Sequence, residues 1–386
     1  MRIANSLLFI ISFLLWLTLQ SQISVAQTAT VKPITEKPFS FPLQLEMRVP
    51  FAPTAFPNGS RYHLLYELQL TNFSAEPVKL RRIDLIDADK KDGSTILKFD
   101  TVQLNTMLKP LADNATDKLT LGSGQSAIVF MEATSNINKP FPAKVLHRVF
   151  TETDSLQGAI ISTRQNKLQV LAPPLEGNNW TAADGPSNDP DNHHRRGVII
   201  LNGRSVDSRR YAIDWKKFVD STSYSGNARD AHDYYCYSEK VYAVADGVII
   251  KATDGLPDNV PGHGKAFHPA VTLTLDRLAG NYIVLDVGNG QYAHYMHLKA
   301  GSLKVKAGDH VHKGQLLANI GASGDAREPH LHFEVTSSPK LLEGEGIPYV
   351  IESYRLHNKS NQPAPIHKNE LPTQDQVVDF AKGKDK

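Results

Sequence analysis

The octapeptide EPHLHFEV, Glu328 to Val335, decides how the second half of the chain is read. Its composition is that of a strand, and alternate side chains of a strand share a face, ~6 to 7 Å apart along it. His330 and His332 therefore point one way, while Leu331 and Phe333 point into a core and hold the pair rigid. One imidazole on such a platform can bind a metal through a ring nitrogen while its neighbour meets a water or a substrate oxygen. Two plain surface histidines are the competing reading, and His-x-His alone does not separate the two.

The flanking sequence is β-rich as well. RGVIILNG (196–203), YAIDW (211–215), VYAVADGVI (241–249), GQYAHYMHLKAG (290–301) and GDHVHKGQLLANIGASG (308–324) read as strands and hairpins, with turns at Asp246-Gly247, Gly288-Asn289-Gly290, Gly308-Asp309 and Gly321 to Gly324. Alternation along the 292–298 strand puts Tyr295 and His297 on one face and His294 with Met296 and Leu298 on the other, so His294 is expected to be structural. The long Gly- and Pro-containing segment Asp254 to Pro269 is expected to wall a groove.

The half from Phe39 to about Leu171 is also β, but carries no catalytic constellation. In YHLLYELQLTNFS (62–74), Leu64, Tyr66, Leu68 and Leu70 alternate with Leu65, Glu67, Gln69 and Thr71, the pattern of a half-buried strand in a sandwich. His63 and His147 stand singly in strand-like settings and read as satisfied structural histidines. PPLEGNNWTAADGPSNDPDN (173–192) reads as a linker, and the chain beyond Glu343 as one strand followed by a loosely ordered polar tail. Arg2, the apolar run Leu7 to Leu19 and Ser24-Val25-Ala26 form a cleavable signal pattern. The expected layout is thus a signal peptide over 1–26, a β-sandwich over 27–172, a linker over 173–195, a second β domain over 196–340 and a strand plus tail over 341–386. The mature protein is expected to be exported, to the periplasm or the extracellular space, with no stable membrane insertion after cleavage.

Bulk properties agree with a soluble two-domain protein: 386 residues, 41% hydrophobic, 21% charged and a formal net charge of only +2. No basic block or aromatic-basic motif tracks a phosphate backbone, so nucleic acid is excluded as a partner. The lone Cys236 permits no intramolecular disulfide and reads as a small buried filler.

The order of these segments, an AIDW-like strand, VYAVADG, a YxHL strand, GDxVxKGQ and PHLHF, resembles the lysostaphin-like (LytM-type) zinc endopeptidases that cut peptidoglycan peptides. The resemblance covers about 197–335. It implies an all-β fold, an N-terminal β-sandwich followed by an antiparallel β barrel-sandwich hybrid, with Asp214 and His332 as zinc ligands and His297 and His330 as non-ligand histidines beside a water on the metal. Zinc would lower the pKa of such a water from roughly 16 to about 7.

One position departs from the family's His-x-Gly-x-Asp pattern: Arg210 stands where the first ligand histidine belongs, and Ala212 where the glycine does. A guanidinium has no lone pair to offer. Either another histidine completes the shell, with His194 of DNHHRRG the first candidate ahead of His193 and His232, or Arg210 pairs with Asp214 and the domain is a degenerate module that binds peptidoglycan or activates another wall hydrolase. A biotinyl- or lipoyl-carrier reading fails, because GDHVHKGQ lacks the lysine setting those domains modify.

Overall fold

The computed structural model describes residues 41–112, 117–357 and 364–382; the signal-peptide segment lies outside them. Among the described residues no helix is long and apolar enough to cross a membrane.

Two five-stranded sheets build the N-terminal part. One runs Leu45–Arg48, Arg61–Asn72, Ser126–Asn136, Leu108–Pro110, with Phe56–Asn58 added to the second of these; the other runs Ser155–Ser162, Lys144–Thr151, Val78–Asp87, Thr95–Phe99, with Thr120–Leu121 added to the third. Leu64, Tyr66, Leu68 and Leu70 face a core shared with Leu85 and Val149, as the alternation requires. His147 sits wholly buried there, held by the Tyr66 hydroxyl at 2.7 Å and the Ala159 carbonyl at 3.0 Å, and burial lowers its pKa to about 4. The opposite face of the same strand departs from the half-buried reading. Leu65 and Glu67 are also buried, because Leu65 joins the core of the C-terminal part and Glu67 receives two guanidinium groups from it.

The C-terminal part is organised on an eleven-stranded sheet in the order Val170–Leu171, Val350–Leu356, Val377–Phe380, Gly177–Ala183, Ile213–Lys217, Leu331–Thr336, Tyr292–Leu298, Asn281–Asp286, Gly247–Thr253, His310–Val311, with Ile366–Glu370 on Val350–Leu356. The all-β class holds, but this sheet stays open rather than closing into a barrel. Strands from the segments expected to be linker and tail extend it sideways past Ile213–Lys217. Gly177–Ala183 lies inside the expected linker, and among the described residues the segment after Glu343 supplies three strands. Trp180 accounts for the first: its indole is fully buried with Trp215 and Phe380, and a segment that buries such a ring has the apolar area to hold a sheet position.

Candidate metal centre

Pairing in the middle of this sheet places the site. Asp214 lies directly opposite His332 in the antiparallel ladder, and Ala183 opposite Asp214 on the other side. Side chains opposite each other across a ladder stand about 5 Å apart at Cβ, so Asp214 and His332 meet: His332 Nδ1 is 2.9 Å from Asp214 Oδ1. Leu331, Phe333 and Val335 of the same strand fill the core, and His330 and Glu334 share the face of His332. His330 Nε2 reaches 3.5 Å and His194 Nε2 3.4 Å from the same Asp214 oxygen. All four side chains are buried.

Backbone carbonyls fix three imidazoles in one tautomer. Nδ1 of His194 donates to the Asp184 carbonyl at 2.9 Å, Nδ1 of His330 to the Glu328 carbonyl at 2.8 Å, and Nδ1 of His297 to the Ser323 carbonyl at 2.8 Å. A carbonyl can only accept, so each Nδ1 carries the hydrogen and each neutral ring keeps its Nε2 lone pair. Burial, outweighing the pull of Asp214, lowers the pKa of His194 to about 4, and burial likewise lowers those of His330 and His297. His332 goes the other way. Burial opposes its charge, but hydrogen bonds to Asp214 and, through Nε2 at 3.3 Å, to Glu334 raise its pKa to about 9. Burial also opposes the charge of Asp214, yet the imidazoles around it, with His332 donating at 2.9 Å, hold its carboxyl well below the usual range.

These donors suit a zinc ion. His194 Nε2 is buried without a hydrogen-bond partner, its lone pair turned towards a carboxylate oxygen. Two acceptors facing each other in a dry site repel unless a cation joins them. Imidazole nitrogens and one carboxylate form a common zinc donor set, and the Glu334 carboxylate behind His332 is the outer partner such histidines carry. His193, half-exposed, lies beside them with Nδ1 3.2 Å from Asp184 Oδ1 and Nε2 4.0 Å from Asp214 Oδ2. Ligand atoms of His193, His194 and Asp214 all fall within 4.8 Å of one another.

His297 reaches the site by an unexpected route. The shared face expected for Tyr295 and His297 is not what forms: Tyr295 packs in the core against Phe333 and accepts from the Val244 amide at 2.9 Å. Met296 pairs with His332 and shares its face. His297 then adopts φ +63°, a left-handed backbone that swings a second consecutive side chain to the site, 4.7 Å from the His330 ring and 6.0 Å from that of His332. The Ser323 carbonyl that orients it belongs to a turn packed backbone to backbone on Gly280, where any Cβ would collide. His294 is turned to Thr336 and Ser338 instead.

The pairing of Arg210 with Asp214 does not form. Ser208–Tyr211 is a 3-10 turn that aims the guanidinium away from the site, where Nε donates to both Glu67 oxygens at 3.0 Å and Nη2 to Glu345 at 2.8 Å. His232 is mostly exposed, hydrogen-bonded to Asp230 at 2.9 Å, and does not line the site. The surrounding cavity, about 620 Å³, has His263 from the 254–269 segment, Leu275, Leu278 and Leu341 along its apolar walls, and Lys216, Arg209 and Arg327 as cations. Glu334 and Asp184 escaped the reading of the sequence: nothing in EPHLHFEV separates Glu334 from a solvent-facing strand residue.

Residues 231–343 match the family model of peptidase family M23. This chain carries an M23 peptidase domain. The match bears out the likeness read from the motif order, and it takes in His297, His330 and His332 while Asp214 and His194 precede it. Over 81 residues the chain is 37% identical to the peptidoglycan DD-endopeptidase ShyB of Vibrio cholerae, covering 21% of this chain and 18% of the relative; over 95 residues it is 32% identical to ShyA of the same organism, covering 25% and 17%. The matched stretch thus spans less than a fifth of either relative's length. Among solved structures, the catalytic domain of lysostaphin from Staphylococcus simulans aligns at 21% identity and a TM-score of 0.24, over 44% of this chain and 88% of that one.

Proposed function

We propose that the M23 domain is a zinc-dependent peptidase of an exported protein, hydrolysing peptide bonds of peptidoglycan, with zinc held by His194, Asp214 and His332. The observation that carries this is the buried, unpartnered Nε2 of His194 turned towards Asp214 and beside His332, which replaces the donor lost at Arg210. Bound there, zinc supplies Lewis acidity for a carbonyl oxygen and acidifies a water.

The protein's own groups complete the reaction. His330 and His297, neutral at pH 7 because burial lowers their pKa values, each present an Nε2 lone pair. His330, the nearer to Asp214, accepts the proton of the attacking water, and its Nδ1 bond to Glu328 keeps the ring aligned as charge develops. His297 faces the same space from the other strand, where its Nε2 lone pair accepts a hydrogen bond that orients the water, and the proton taken by His330 passes to the leaving amine. Leu275, Leu278 and Leu341 give the cavity apolar walls, and Arg209 is a cation suited to a peptide carboxylate, whereas Lys216 and Arg327 are paired with Glu328 at 2.8 Å and Asp325 at 3.1 Å. The recognition-only reading required an Arg210–Asp214 pair, and Arg210 is committed to Glu67.

The test is the zinc content of the purified protein, measured with peptide release from isolated sacculi, in wild type and His194→Ala. About one zinc per chain, lost together with peptide release in the variant, is the expected result. A variant that keeps both zinc and cleavage overturns the ligand set.

A further inference from the structure

Asp214 and His332 sit on paired strands, so the backbone ladder sets their positions. His194 has no such support. Among the described residues its segment, 184–198, is turn and loop, and a loop ligand must be fixed by side-chain anchors. Three are present. Asn192 donates to the Gly185 carbonyl and to Gln374, both at 2.8 Å, and Arg196 reaches the carbonyls of Thr106 at 3.1 Å and Asn188 at 3.0 Å from a partly solvated position. The third, Arg195, directly follows His194 and is 1% exposed. It enters the N-terminal sandwich, pairs through Nη1 with Glu67, and donates Nη2 to the carbonyls of Tyr66 at 2.8 Å and Met131 at 3.1 Å, so that its fork clamps two neighbouring strands. Glu67 also takes Arg210, four residues before Asp214. The segments bearing two ligands thus converge on one sandwich carboxylate.

We infer that Glu67 and Arg195 are positioning residues of the metal centre, and that the sandwich sets zinc affinity by holding His194 through them. This rests on the zinc-binding reading above and deepens it: the sandwich supplies the scaffold that the missing histidine at position 210 would otherwise have made unnecessary. Neither residue touches the metal or substrate.

The experiment is a zinc–chelator competition on the full chain, with folding followed by circular dichroism, for wild type, His194→Ala, Glu67→Gln, Arg195→Met and Val129→Ala. Arg195→Met leaves the Glu67–Arg210 pair intact; Arg195→Lys, which keeps the charge and loses the fork, takes its place if that variant does not fold. Val129 is fully buried in the sandwich core, so its variant loses stability without altering the network. Zinc affinity is expected to fall at least about tenfold in Glu67→Gln and Arg195→Met and to change less than about twofold in Val129→Ala. Wild-type affinity in folded Arg195→Met, or an equal loss in Val129→Ala, overturns the positioning role alone. A wild-type chain that takes up no zinc, or a His194→Ala chain that binds as wild type does, overturns the ligand assignment and this inference with it.

Discussion

Replacing Arg210 by histidine restores the residue type the M23 pattern has at that position, and the geometry gives a definite expectation: no new ligand and a less stable protein. Arg210 gives Nε to both oxygens of Glu67 at 3.0 Å, Nη2 to Glu345 at 2.8 Å and Nη1 to the Gly346 carbonyl at 3.2 Å. An imidazole is too short to span these partners. Removing one partner of a buried ion pair costs ~3 to 5 kcal/mol. Glu67 keeps Arg195, and the Glu345 side chain, at 13% exposure, retains some contact with water, so the lower end, about 3 kcal/mol, is expected. Urea denaturation of the metal-free proteins measures this, and zinc–chelator competition on Arg210→His and on the double variant Arg210→His, His194→Ala measures the site. The single variant should bind zinc no tighter than wild type, and the double variant should bind none. Zinc binding by the double variant, or a stability loss under about 1 kcal/mol, refutes the account of Arg210 as a structural ion-pair residue.

Two further outcomes are expected. Glu334→Gln removes the charge behind His332 and should weaken zinc about tenfold in the same competition assay with the fold intact; an unchanged affinity removes Glu334 from the site. His147 has its pKa lowered from 6.5 to about 4 by burial, so the unfolded chain takes a proton first as pH falls, and the stability His147 contributes, fully present above about pH 6.5, declines between pH 6.5 and 4. Between pH 7.5 and 5 this amounts to about 2 kcal/mol, seen as a steeper loss in urea for wild type than for His147→Gln; parallel losses would contradict it.

The site was legible where residue type and strand parity carry the information. His330 and His332 on one face follow from period two, whereas Asp214 was implied only by the resemblance in motif order, and the fold is what sets it across the ladder from His332. What resisted reading depends on distant backbone. The left-handed turn at His297 breaks parity, and backbone hydrogen bonds to Ala279 and Gly321, outside its own strand, hold it. His194 was one of three histidine candidates because its support comes from Glu67, far away in sequence. Gly177–Ala183 reads as a linker from its Gly and Asn content, yet one indole, Trp180, decides its burial. The Arg210–Asp214 pair, one of the two alternatives, fails for the same reason: local sequence shows Asp214 four residues away, while the fold offers Glu67.

The sideways growth of the large sheet has a consequence for biogenesis. Every proposed ligand has been synthesised by residue 332, but the strand bordering Gly177–Ala183, itself next to the Asp214 strand, is Val377–Phe380, paired across some two hundred positions. Such distant pairings are slow to form because loop closure comes before any reward. A chain emerging from its N-terminus can pair Asp214 with His332 while the far side of Gly177–Ala183 is still an open edge, so the metal site reaches its finished rigidity only after synthesis has passed Phe380.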